Sequence, residues 1–412
     1  MSGFRQKFSQ GIPWLFILLA FSLPLSTSLV SVITVILLIC WVLEGRFQEK
    51  WSEIVANPLC LAVFLYMGVL ILGLGWSDNL GEGIAVLRKH WKIMIFPILL
   101  TAVRWEWRSR TVGAFIAGVS VAMVLNLLDR LHLFTLLRMD AFSQTTLLTN
   151  HIIYTPMLAL AAYLVAHTVL WGKGLGSRRW WLVALGIMMS CTVFLTKGRM
   201  GQLVFFVLLA LLIWQYFHRN RGQAVLLTLI AFVLIFPAAY TFSPQFHSRV
   251  NDVRHEIETF SANPETSVGL RLTWWQNSWI LVRQQPWFGV GTGDFSAAYA
   301  VVHQERSPHV SVADNPHNQY LYIAIRLGIL GGISLLGMFM VQFLWGNRSN
   351  DGWHRIRTAF PLFFLTIMLT DSYLVSHGSG FLFSFFCAVL YKKTPAKQNC
   401  PNGSRSISQG TS

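Results

Sequence analysis

Apolar runs long enough to cross a bilayer recur from one end of this chain to the other, and they leave few folds open. A hydrocarbon core about 30 Å thick takes roughly 17–25 residues of helix. Inside it the backbone must satisfy its own hydrogen bonds, which rules out open sheets and bare loops. Read against that length, the sequence predicts about twelve spans: 13–27, 29–43, 59–74, 92–103, 112–128, 152–171, 180–195, 202–217, 225–239, 318–345, 359–374 and 381–391. Only 12% of residues are charged, against about a quarter in soluble domains. The expected fold class is an all-α integral membrane protein.

No long period repeats along the chain. The expected organisation is helices one to nine in 1–240, a large polar loop in 241–316, helices ten to twelve in 317–391, and a disordered Ser-, Gly- and Asn-rich tail in 392–412. The excess of Lys and Arg in alternate loops places both termini in the cytoplasm and the large loop outside. The formal charge of +15 then lies mainly on the cytoplasmic rim, where it matches anionic lipid rather than nucleic acid. A second apolar run follows the first at once, so no cleavable leader is expected. The cysteines are Cys40, Cys60, Cys191, Cys387 and Cys400. None lies in the large loop, and no CxxC spacing occurs, so neither a disulfide scaffold nor a metal centre is predicted.

Polar chemistry gathers on the outer side. The turn Thr196-Lys197-Gly198-Arg199-Met200-Gly201 sets two cations between glycines. It reads either as a phosphate site, with glycines letting an anion approach the backbone, or as a snorkelling pair. In the loop, Leu272, Trp275, Trp279 and Val282 recur at helical spacing, which predicts an amphipathic helix on the membrane with Arg271 at its start. The loop cations are all arginine, the residue suited to bidentate phosphate contact. Gly289-Val290-Gly291-Thr292-Gly293 imitates a nucleotide loop, but no strand precedes it; a tight, lipid-facing turn is expected. His317 follows Asp314-Asn315-Pro316 at the mouth of the tenth run. There a helix cap would set it in the first turn, and an imidazole suits a general base.

Two patterns carry a resemblance. Arg199-Met200-Gly201-Gln202-Leu203 reads R-x-x-x-L, and His317-Asn318 followed by Gly328-Ile329-Leu330-Gly331 reads H-N-x9-G-x-x-G. Together with the loop before the histidine, they resemble the bacterial O-antigen ligases of the ligase/polymerase superfamily. Trp76-Ser77-Asp78-Asn79 and the stretch from Leu87 to Lys92 are similar to that superfamily too. The resemblance implies a GT-C-like, inverting, metal- and cofactor-independent glycosyltransferase. It would pass a glycan from undecaprenyl diphosphate to lipid A-core at the periplasmic face of the inner membrane. Carried over, Arg199 and Arg271 hold the diphosphate and His317 serves the acceptor. Lys197, Lys89, Lys92 and Asn318 are further candidate substrate contacts, with rim anchoring as the alternative for the lysines.

The chemistry is consistent with these residue types. A diphosphate leaving group gains charge as its bond breaks, and arginine forks stabilise that charge. It needs no proton to leave, so one base on the acceptor hydroxyl suffices. Trp274, Trp275, Trp279 and Trp287 are expected at the membrane interface. Arg326 falls on the helical face opposite His317; either it pairs within the bundle or the span begins deeper than drawn, and an intramembrane charge is a functional candidate by default. Asp371 could orient His317 or an arginine. An O-antigen polymerase and a protein O-oligosaccharyltransferase remain as alternatives. A transporter would need internal repeats and polar residues along a path, which the spans do not offer.

Overall fold

The computed structural model describes residues 2–130, 150–348 and 351–393. The tail expected to be disordered, with Cys400, lies almost wholly outside the described residues. Among those described, the protein is all helix. In chain order the helices are α1 (Ser2–Ser22), α2 (Thr27–Glu44), α3 (Phe47–Val55), α4 (Pro58–Leu72), α5 (Leu80–Met94), α6 (Phe96–Ala102), α7 (Arg108–Arg130), α8 (His151–Trp171) and α9 (Arg178–Leu195). They continue with α10 (Arg199–Tyr216), α11 (Arg221–Phe242), α12 (Pro244–Glu258), α13 (Ser267–Gln284), α14 (Phe295–Arg306), α15 (Gln319–Asn347), α16 (His354–Ile367) and α17 (His377–Tyr391).

Local chemistry sets many of the starts. Asn57, Asn79, Asn150, Asn220 and Asn318 each accept backbone N–H bonds at the first turns of α4, α5, α8, α11 and α15. Ser26, Ser243 and Thr266 do the same for α2, α12 and α13. Such caps satisfy amides that the helix itself leaves without partners.

Eight helical segments among the described residues are long and apolar enough to cross a membrane, and two more, Gln10–Ser22 and α17, are apolar but shorter. The protein is a multi-pass membrane protein. Two expected spans depart from the pattern. The run 92–103 is divided between the end of α5 and the seven-residue α6, with Pro97 in the first turn of α6, where its missing N–H does no harm. The run 359–374 stops being helical at Ile367, and the residues from Met368 to Ser376 fold as turns instead. Asp371 therefore stands on an irregular segment, not at the end of a span.

The polar loop 241–316 is a small helical layer of α12, α13 and α14. Helices α8 and α17 lie deep in the bundle, and α17 is buried along nearly its whole length. Helix α11 is its opposite, with Ala224 its one buried residue. Away from the loop layer, Arg108 joins Asp351, the Val389 carbonyl and the Lys392 carbonyl, and Arg357 shares the same Asp351.

The glycine run after α13 is a buried clasp rather than a lipid-facing turn. Helix α15 is broken at Gly328, whose φ is 58°. A side chain there would collide with the Trp287 backbone. The break frees the carbonyls of Ile325 and Arg326, which accept from the amides of Val290 and Gly291 at 2.9 and 3.0 Å. In return Ile329 N–H donates to the Pro286 carbonyl at 2.8 Å. Thr292 then donates to the carbonyls of Gly73 and Leu70. Asp294 accepts from the amides of Asp78 and Asn79 at 3.0 and 2.8 Å. The run is glycine-rich because three backbones meet there, and no phosphate needs to be invoked.

Candidate functional site

His317 is set by three segments. Asn318 caps α15, accepting from the amides of Tyr320 and Leu321, and its amide nitrogen donates to the Leu369 carbonyl. Asn315 Oδ1 accepts from the His317 amide at 3.0 Å and from the Ser372 hydroxyl at 2.8 Å. Trp275 Nε1 donates to the Pro316 carbonyl at 2.9 Å. Between these ties His317 takes a φ of 47°, uncommon for a side chain with a Cβ. Backbone strain of this kind costs on the order of 1–3 kcal/mol and collects at working sites.

The ring is held as firmly as the backbone. Its Nδ1 lies 3.1 Å from Asp371 Oδ1, and its face stacks on Trp274 at a centroid distance of 5.1 Å and an angle of 25°. Asp371 Oδ1 also accepts from the Ser372 amide at 2.7 Å. A neutral histidine beside a carboxylate places its proton on the nitrogen facing that carboxylate. By that inference Nδ1 carries the hydrogen and Nε2 keeps the lone pair. The His317 side chain is 37% exposed and Asp371 17%, so a proton taken at Nε2 would form an imidazolium already beside its counter-charge.

Arg271 belongs to the same face of α13 as Trp274 and Trp275, since residues three and four apart stack along a helix. It also shares an electrostatic neighbour with the dyad. Burial pushes the Tyr373 phenol well up; the Asp371 carboxylate pushes the same way, and the Arg271 guanidinium opposes them. The Tyr373 hydroxyl donates to the Ile152 carbonyl at 3.1 Å, in the first turn of α8. Among the described residues no carboxylate pairs with Arg271.

Arg199 opens α10. Its Nη2 lies 3.2 Å from Glu256 Oε1 on α12. The other oxygen of Glu256 accepts from the Val268 amide at 2.6 Å, in the first turn of α13. A continuous path thus joins Arg199, Glu256, α13 with Arg271, Trp274, His317 and Asp371.

Several expectations need correcting. Lys92 is buried, and its ammonium donates to the Val375 carbonyl at 2.6 Å, so it is a packing tie rather than a substrate contact. Lys89 is exposed on the same helix, which packs mainly on α4, α6 and α17. The Asn318 carboxamide is committed at both ends, as described. Gly198 and Gly201 are required by packing, because Thr155 of α8 occupies the space a Cβ would fill at either. Lys197 next to them is exposed. Trp274 and Trp275 hold the histidine loop, whereas Trp279 and Trp287 are 50% and 66% exposed. The expected stripe of α13 is only partly covered, and its buried residues are instead Gly269, Thr273, Asn277, Ser278 and Leu281.

Arg326 does pair within the bundle. It faces Glu82 at 3.6 Å, donates to the Thr292 and Tyr322 carbonyls, and lies over the Tyr322 and Phe295 rings. An apolar groove of about 770 Å³ opens between α8, α9, α10 and α11, reaching Leu195, Phe242 and Ser243. Among the described residues no group of three His, Cys, Asp or Glu side chains could hold a metal ion. Glu256 and the Trp274 stack were not foreseen. Their partners lie 57 and 43 positions away in the chain, and no local pattern announces such a contact.

These features define a multi-pass helical membrane protein with a His–Asp pair stacked on the loop layer, Arg271 within that layer and Arg199 tied to it through Glu256. Residues 184–336 match the family model described as O-antigen ligase. That stretch holds Arg199, Arg271, His317 and both glycines of the last motif, while Asp371 lies beyond it; this part of the chain is similar to the O-antigen ligase family. The chain is also 25% identical over 221 residues to an uncharacterised protein of Haemophilus influenzae, covering 50% of this chain and 54% of the relative. It thus spans about half the length of that curated relative.

Proposed function

We propose that this protein is an O-antigen ligase of the bacterial inner membrane, with its site on the periplasmic face. The observation that carries the reading is the His317–Asp371 pair at 3.1 Å, set beside a helix that bears Arg271 and is tied through Glu256 to Arg199. The donor is a glycan on undecaprenyl diphosphate, and the acceptor is a sugar hydroxyl of lipid A-core.

His317 Nε2 takes the acceptor proton as the hydroxyl oxygen bonds to the anomeric carbon. The bond from that carbon to the diphosphate oxygen breaks, and undecaprenyl diphosphate leaves with the electron pair. Asp371 keeps the imidazole in the required tautomer and stabilises the imidazolium. Arg199 and Arg271 meet the charge that develops on the diphosphate, where fixed cations favour the transition state over the ground state. Attack opposite the leaving group inverts the anomeric centre. The groove between α8 and α11 offers an apolar bed for the prenyl chain just beyond the Arg199 turn.

The test is genetic and biochemical. Deletion is expected to remove every glycan-bearing lipopolysaccharide band, the one-repeat band included, while long glycan accumulates on undecaprenyl diphosphate. A one-repeat band surviving on lipid A-core would replace the ligase reading with a polymerase.

A further inference from the structure

Arg199 already holds an anion, and that anion belongs to the protein. A guanidinium has five N–H donors. Arg326 donates to two carbonyls and faces a carboxylate at 3.6 Å beneath two aromatic rings. Arg199 has Glu256 as its hydrogen-bond partner, at 3.2 Å, with the two side chains 25% and 14% exposed. The rest of its donor edge is open to an incoming group.

We propose that Glu256 is a placeholder anion: it neutralises Arg199 until the donor diphosphate displaces it. The inference rests on the reading of Arg199 as a donor contact. Leaving a half-buried arginine without a counter-charge is costly, and Glu256 removes that cost in the donor-free protein. The exchange needs no large movement, because Glu256 Oε2 stays anchored on the Val268 amide while Oε1 releases Arg199.

A competitor of this kind also sets an affinity threshold. Any anion entering must outbid a tethered carboxylate. A lipid diphosphate offers more anionic oxygens to a guanidinium than a lipid monophosphate does. The cost of displacing Glu256 is the same for every anion, so it weakens each to the same degree, and an anion with few other contacts falls below useful occupancy first.

The experiment measures binding of undecaprenyl diphosphate and undecaprenyl monophosphate to the full-length protein in nanodiscs. It compares wild type, Glu256→Gln, Arg199→Ala and the double variant. Glu256→Gln is expected to tighten both lipids by about threefold or more, the scale of a partly exposed ion pair, and by a similar factor for each. In the Arg199→Ala background the same change should do nothing. Unchanged or weaker binding in Glu256→Gln, or a gain that persists without Arg199, overturns the proposal. If Glu256→Gln does not accumulate, Glu256→Asp retracts the carboxylate from Arg199 and should shift binding in the same direction; no tightening there overturns it equally. Arg199→Ala alone judges the underlying reading, since diphosphate binding as tight as wild type would remove Arg199 from the donor site whatever Glu256 does.

Discussion

Two arginine–glutamate pairs divide this molecule between holding and working. Arg326 and Glu82 are 3% and 19% exposed, while Arg199 and Glu256 are 25% and 14% exposed. Around Arg326 the guanidinium is buried beneath two rings, donates to two carbonyls and faces Glu82 at 3.6 Å, and it ties the glycine clasp to α15 about two turns from His317. Around Arg199 one carboxylate is engaged and an open edge remains. Charge type and partner are the same in both pairs; burial of the arginine separates a strut from a site.

The largest effect should come from breaking the strut. Arg326→Ala leaves Glu82 without its partner and frees the Thr292 carbonyl, a change that costs about 3–5 kcal/mol for a buried pair. The expected outcome is poor accumulation and a lowered melting temperature in detergent. Normal accumulation with lost activity would place Arg326 among the working residues and dissolve the contrast.

Arg199→Ala and Arg271→Ala should do the reverse. Each is expected to melt near wild type and to lose transfer by about 10²–10³ in rate, the usual cost of one preorganised charge contact. Arg271→Lys should recover only part, because an ammonium cannot form the two-pronged contact. Asp371→Asn is expected to cost less than loss of the base itself, about tenfold to a hundredfold, against the 10²–10⁴ that a general base contributes. It should lower kcat more than it raises KM for the acceptor. Lys89→Ala should change neither stability nor rate measurably, and a large loss would bring α5 into the site.

Much of this was legible in the letters, though not always for the reason first given. The spacing H-N-x9-G-x-x-G marks a structural unit: Asn318 caps α15, Gly328 breaks it at φ 58°, and Gly331 sits where a Cβ would press on Leu327 and Ile323. The helical class follows from run length and hydropathy. Side-chain partners were harder to read. Trp274 looked interfacial by residue type, yet it stacks on His317, because a tryptophan near a membrane surface has two places to put its ring. Lys92 looked like a rim cation, yet it is buried against Val375. A residue's type shows what it could bind, whereas long-range packing decides which partner it meets.

The most direct measurement separates donor binding from turnover in one variant. Purified His317→Ala in nanodiscs should bind undecaprenyl diphosphate as tightly as wild type, yet transfer glycan to lipid A-core at least about a hundredfold more slowly. Near-normal turnover with matched protein would contradict His317 as the base, and with it the central claim.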